Sequence, residues 1–116
     1  MSTRQKLLNL VAVIPTEKVE IKGVGTVTLR GLNAGERDRW EQYIHSTRDE
    51  KRGVINFRAS LVCRTILDEG GARAYTDSTA DLDEISTLPA AVVDKLFTVS
   101  QRLSGLGAEA DALEKI

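Results

Sequence analysis

Cysteine occurs once, at Cys63, so no intrachain disulfide framework is available to this chain. Aromatic side chains are scarce: Trp40, Tyr43, Phe57, Tyr75 and Phe97 make up 4% of the residues. That is too few for a base-stacking platform of the kind that binds single-stranded nucleic acid. There is one histidine, His45, and the formal charge is −1. A near-neutral chain has no overall electrostatic attraction to nucleic acid or to an anionic membrane. No apolar run approaches the ~20 residues of a membrane span. The basic start, Arg4 and Lys6 before Leu7–Ile14, lacks the pattern of a secretory signal: Asn9 interrupts the run and no small-residue cleavage site follows. Repeats and low-complexity tracts are missing too.

What remains is an ordinary globular composition, 41% hydrophobic and 28% charged over 116 residues. This is one domain's worth of chain, long enough to bury a core. Charge is polarised along it. Residues 1–58 carry eleven Lys/Arg against seven Asp/Glu, and residues 59–116 carry five against ten. The halves either pair internally or offer two faces to partners.

Patterning points to an α+β domain, mostly helical, with an N-terminal β-hairpin and three to four helices. Residues 1–17 form an N-terminal segment; residues 3–12 suit a short helix with Leu7, Leu8 and Val11 on one side, ended by Pro15. The single domain spans 18–105. Lys18–Lys22 and Thr26–Arg30 alternate strictly about Gly23-Val24-Gly25, a hairpin over 18–30. The Gly-x-Gly is no phosphate loop, because a strand follows it rather than a helix. Asn33 with Glu36 has capping-box spacing for a helix over about 34–46, whose narrow apolar face is Trp40, Tyr43 and Ile44. Thr47–Gly53 reads as a charged loop. Residues 54–67 are apolar around more than half a helical wheel, broken by Asn56, Arg58, Ser60 and Arg64, so this helix is expected at the centre. Asp68–Gly71 reads as a turn, and Arg73–Thr76 as a brief extended piece. Ser78 with Asp81 starts a short helix over 79–85. Ser86 or Thr87 is expected to cap the last helix, 89–104, with Pro89 in its first turn and Gly105 as its stop. Residues 106–116 read as a flexible acidic tail.

The residues offer little chemistry. A nucleophilic pair would have to join Cys63 to His45, yet Cys63 sits in the most apolar helix. A structural zinc site wants four Cys/His-type ligands and the chain owns two. Asp77, Asp81, Asp83 and Glu84 do not have calcium-loop spacing, and acids suit a helix N-terminus in any case. No Gly-x-Ser-x-Gly, P-loop or dinucleotide fingerprint occurs. Arg37, Arg39 and Arg48 are basic enough for a DNA-reading face, but Asp38, Glu41, Asp49 and Glu50 interleave with them. The expectation is a binding or assembly protein without catalytic residues, metal or cofactor.

The order of segments carries a resemblance. The hairpin is followed by Gly-Leu-Asn-Ala-Gly-Glu-Arg-Asp-Arg-Trp-Glu (31–41), then Phe-Arg-Ala-Ser-Leu-Val-Cys-Arg-Thr-Ile-Leu-Asp-Glu-Gly-Gly (57–71). Next come Ala-Tyr-Thr-Asp (74–77) and the proline-started helix closing in Gln-Arg-Leu-Ser-Gly-Leu (101–106). Over about 18–106 this resembles the tail assembly chaperones of long-tailed (siphovirus, lambdoid-type) phages and prophages. No single piece is a strict motif. The resemblance implies a non-enzymatic protein of the host cytoplasm that binds the helical tape-measure protein, keeps it soluble until the tail tube polymerises, and is absent from the mature virion. It also implies a short product of a frameshifted pair, whose longer form recruits tail-tube protein, and Lys115 near the end is where a slippery adenine-rich codon run would fall. The alternatives are a head–tail joining or tail-completion protein that stays in the particle, and a small DNA-binding regulator. Such a chaperone must cover apolar stripes reversibly. Candidate partner-binding residues are Trp40 and Tyr43, with Val24 and Val27 at the hairpin. Trp40 has a competing reading as simple core packing. An uncovered apolar face would also permit self-association.

Overall fold

The computed structural model describes residues 1–51, 53–54 and 56–106. Ser2 caps helix α1 (Thr3–Leu8) through a capping box with Gln5, and a 3₁₀ turn (Asn9–Val13) continues it to Pro15. Strands β1 (Thr16–Ile21) and β2 (Gly25–Arg30) then form the expected hairpin, beginning two residues earlier than the alternation alone indicates. They pair antiparallel with Thr16 opposite Arg30 and Ile21 opposite Gly25. Val19, Ile21 and Leu29 face the core. Gly23 and Gly25 have φ of +87° and +102°, a backbone that L side chains rarely adopt.

Helix α2 (Ala34–Thr47) opens on a complete capping box. Asn33 Oδ1 accepts from the Glu36 amide at 2.8 Å, and Glu36 Oε1 accepts from the Asn33 amide at 2.9 Å. Two short strands follow, β3 (Arg48–Asp49) and β4 (Gly53–Val54), paired antiparallel. The expected loop at 47–53 therefore includes strand pairing, with Arg48 opposite Val54 and Asp49 opposite Gly53.

The helix expected over 54–67 is shorter at both ends. Helix α3 runs Phe57–Thr65. Asn56 stands before it in a left-handed conformation, φ 57° and ψ 37°, which breaks the helical path. Ile55 lies outside the described residues. At the other end the chain turns extended, and β5 (Ile66–Leu67) joins the free edge of β2, placing Ile66 opposite Leu29 and Leu67 opposite Thr28. The sheet is thus three-stranded, in the order β1-β2-β5. Arg73 bridges back to Leu67, so the extended piece expected at 73–76 contributes a single bridge.

Ser78 caps α4 (Thr79–Ser86) by accepting from the Asp81 amide. Helix α5 (Ala90–Leu103) has Pro89 itself at its N-cap, with no side-chain cap. Neither Ser86 nor Thr87 does that work: Ser86 ends α4 and Thr87 is its C-cap, its hydroxyl donating to the Glu84 carbonyl. At the far end Leu106 N–H donates to the Gln101 carbonyl at 2.9 Å and Gly105 N–H to Arg102 at 3.2 Å. Together with Gly105 at φ +70° this is a Schellman closure. Leu106, expected to fray with the tail, is instead buried in the core; residues 107–116 lie outside the described residues.

The whole forms an α+β architecture with α3 at its centre. Every residue of α3 except Arg58 is buried. Its buried hydroxyls are satisfied: Ser60 Oγ donates to the Phe57 carbonyl, and Thr65 Oγ1 lies 2.8 Å from Ser100 Oγ of α5. Helix α5 contributes Val93, Leu96, Phe97 and Ser100 to the core. It also locks onto the hairpin. Gly31 lies directly against the Leu103 carbonyl, Leu32 N–H donates to Ser104 Oγ at 3.1 Å, and Arg102 holds both carboxylate oxygens of Glu17 at 2.8 Å. The polarised halves pair in the expected sense at Arg58–Asp94 and in the opposite sense at Arg102–Glu17.

Candidate binding surface

The four candidate contact residues do not form one surface. Trp40 is fully buried, 0% exposed. Its indole N–H donates to Ser60 Oγ at 2.9 Å, and its ring lies 5.6 Å from Phe57, which in turn lies 5.7 Å from Phe97. It is a core residue joining α2 to α3, so the expectation that it contacts a partner is corrected. A single apolar side chain on a narrow stripe packs inward when a hydroxyl stands opposite its N–H. Tyr43 is half-buried, its ring under the Arg64 guanidinium at 5.2 Å. Val27 is half-buried against the core. Val24 alone stands out, 71% exposed at the hairpin tip.

The larger apolar surface is elsewhere. Met1, Leu7, Leu8, Leu10, Val11 and Val13 are each 57–77% exposed. Neither α1 nor the 3₁₀ turn has any buried residue. Residues 1–16 contain Arg4 and Lys6 and no acid. The chain therefore carries a short basic arm with its apolar side chains in water. Exposed apolar residues scattered singly are normal, but here six fall within thirteen positions. A two-turn helix has little stability alone, so covering this face and forming the helix are coupled. The pairing of Leu7, Leu8 and Val11 on one side was readable from the sequence. That no described element of the domain covers them was not.

Cys63 is buried, its Sγ donating to the Thr76 carbonyl at 3.0 Å, and burial pushes its thiol pKa up. His45 is exposed in the last turn of α2. No hydrogen bond joins the two among the described residues. Among the described residues, too, no group of three or more His, Cys, Asp or Glu could hold a metal ion, and no helix is long and apolar enough to cross a membrane.

Asp77 and Asp81 carry the clearest electrostatics. Burial pushes the Asp77 carboxyl up, but the Arg73 hydrogen bond and the charges of Arg64, Arg73 and Arg39 outweigh it and hold the group below the usual range. Asp81 is held down by the Thr76 amide and hydroxyl, which donate to Oδ2 at 2.6 and 2.8 Å. Both folded pKa values lie below the unfolded one. Their stabilisation is complete above the unfolded carboxylate range and is lost as pH falls through the folded values. The urea midpoint is expected to stay level between about pH 7 and 5 and to fall below about pH 4. Asp77→Asn should flatten that fall, and an unchanged acid limb in the variant would count against the assignment.

Comparison with protein-family models, with curated proteins and with solved structures finds no match.

Proposed function

We propose that this chain is a non-enzymatic tail assembly chaperone of a long-tailed phage or prophage, binding the tape-measure protein and keeping it soluble for tail-tube assembly. The exposed apolar arm over Met1–Val13 carries the reading. A long helical client exposes apolar stripes at helical spacing before its tube forms. A short amphipathic helix whose own apolar face is uncovered matches such a stripe and folds as it docks. Arg4 and Lys6 on the same arm favour acidic flanks on the client. Val24 at the hairpin tip is a second apolar contact. The segment order across 18–106 supports the same family. On this reading the protein acts in the host cytoplasm, leaves before the virion is complete, and has a longer frameshifted form that recruits tail-tube protein.

The test is co-expression from the native gene with its downstream neighbours, followed by intact masses of everything that co-purifies. A longer form of the chain and a large helical protein are expected, with the chain absent from purified particles. The paired substitutions Leu7→Asp and Val11→Asp should weaken capture of the large partner at least ~30-fold, the effect of removing a binding hot spot. The unfolding free energy should stay within about 0.5 kcal/mol, since neither side chain is buried. Full capture by the double variant would sink the arm as the contact surface. Recovery of the chain in finished particles would favour the joining-protein alternative.

A further inference from the structure

Arg64 of α3 and Arg73 after β5 meet at Asp77 over a small cavity of about 10 Å³, which Glu36 and Arg39 of α2 also line. The space holds roughly one water-sized atom. The Arg64 side chain is 9% exposed; Nη1 donates to the Ser60 carbonyl at 2.8 Å, and the guanidinium covers the Tyr43 ring. Its Nε is buried and has no hydrogen-bond partner. Asp77 Oδ1 stands 3.8 Å from that Nε, beyond hydrogen-bond reach, because Arg73 Nη2 holds the same oxygen at 2.6 Å. Arg73 Nε is likewise buried and unpartnered.

The neighbouring carboxylates are engaged elsewhere. Both Glu36 oxygens bind Arg30 Nη2, at 3.0 and 2.8 Å, and one of them also caps α2. Asp81 Oδ2 is held by Thr76. Arg39, exposed at the cavity's edge, makes no hydrogen bond or close ion pair among the described residues. Asp77 is thus left to balance Arg64, Arg73 and Arg39 together. Buried donors of this kind are rarely left unmatched. A water would give an acceptor but no charge.

We propose that the Arg39–Arg64–Arg73 notch binds an oxyanion group, one oxygen seated between the Nε–H donors of Arg64 and Arg73 and a second taken by Arg39 at the rim. The cavity's size admits one oxygen and keeps the rest of the group outside. The ligand is therefore the end of something larger: a carboxylate of a partner's side chain, or a phosphate. This site is separate from the apolar arm and does not depend on the chaperone reading.

The test follows the arginine Nε–H resonances of the full chain by ¹H–¹⁵N correlation, titrating sodium acetate in one arm and sodium phosphate in the other. Sodium chloride holds the ionic strength constant. Saturable shifts at Arg64 and Arg73 are expected. Saturation by acetate identifies a carboxylate site, and saturation by phosphate alone identifies a phosphate site. Arg39→Gln should weaken the affinity about tenfold, as loss of one charged hydrogen bond does, without moving the thermal midpoint. Arg58→Gln, on the same helix as Arg64 but away from the notch, should bind as the parent does. Shifts that stay linear with both anions, or an unchanged affinity in Arg39→Gln, would overturn the proposal.

Discussion

Gly31→Ala is expected to destabilise the fold by about 3 kcal/mol, at the upper end of overpacking costs. A Cβ at this position falls 2.2 Å from the Leu103 carbonyl oxygen and 2.8 Å from its carbon. Both obstacles are backbone, so no rotamer relieves them. The last turn of α5 must move away from the hairpin. That movement strains the bond from Leu32 N–H to Ser104 Oγ, and with it the seat of Leu106. It also disturbs Gly31 N–H, which donates to the Pro15 carbonyl at 2.9 Å. The thermal midpoint should fall by more than about 10 °C for a domain of this size. Gly35→Ala is the matched control. Its Cβ meets Arg39 Nη1 at 3.5 Å, an ordinary contact, inside the first turn of α2. There alanine should be neutral or stabilising by up to about 1 kcal/mol. Equal midpoints for the two alanine variants would show that the close approach does not matter.

Trp40→Ala is expected to cost more, about 3–5 kcal/mol. Small domains have only about 5–15 kcal/mol in total. The substitution empties the joint between α2 and α3, removes the donor to Ser60 Oγ, and breaks the run of tilted rings from Trp40 through Phe57 to Phe97. Urea unfolding followed by far-UV circular dichroism measures the loss directly. An interface residue would behave in the opposite way, with stability kept and partner capture lost.

The contrast shows what local pattern can and cannot say. Strict alternation places the hairpin, and the 3.6-residue stripe of Val92, Val93, Leu96, Phe97, Val99, Ser100 and Leu103 places α5. The Asn33–Glu36 and Ser78–Asp81 spacings place two helix starts, because a cap is a local bond between near neighbours. The ends of α3 escape such reasoning. Val54 and Ile66 lie on the apolar side of a helical wheel, but Asn56 turns left-handed, and Ile66 is drawn off by Leu29, 37 positions away in the sequence. Arg64 looks like a break in the same wheel. It is buried because Tyr43 and Asp77 arrive from other elements to receive it. Burial of Trp40 likewise depends on Ser60, twenty residues on. The arm is the reverse case. Its amphipathic character is plain from the sequence, but that no described element covers it emerges only in the folded domain.

The locking of the hairpin to the last helix also sets a clock. Glu17 waits for Arg102, 85 residues later, and Gly31 for Leu103. At a synthesis rate of about 5–20 residues per second, Glu17 precedes Arg102 by roughly 4–17 s. Through that interval Val19, Ile21 and Leu29 lack the α5 side chains that share their core. Glu17, Lys18 and Glu20 lie on β1 itself, the outer strand of the sheet. Charges along such an edge discourage another nascent chain from pairing with it until α5 arrives.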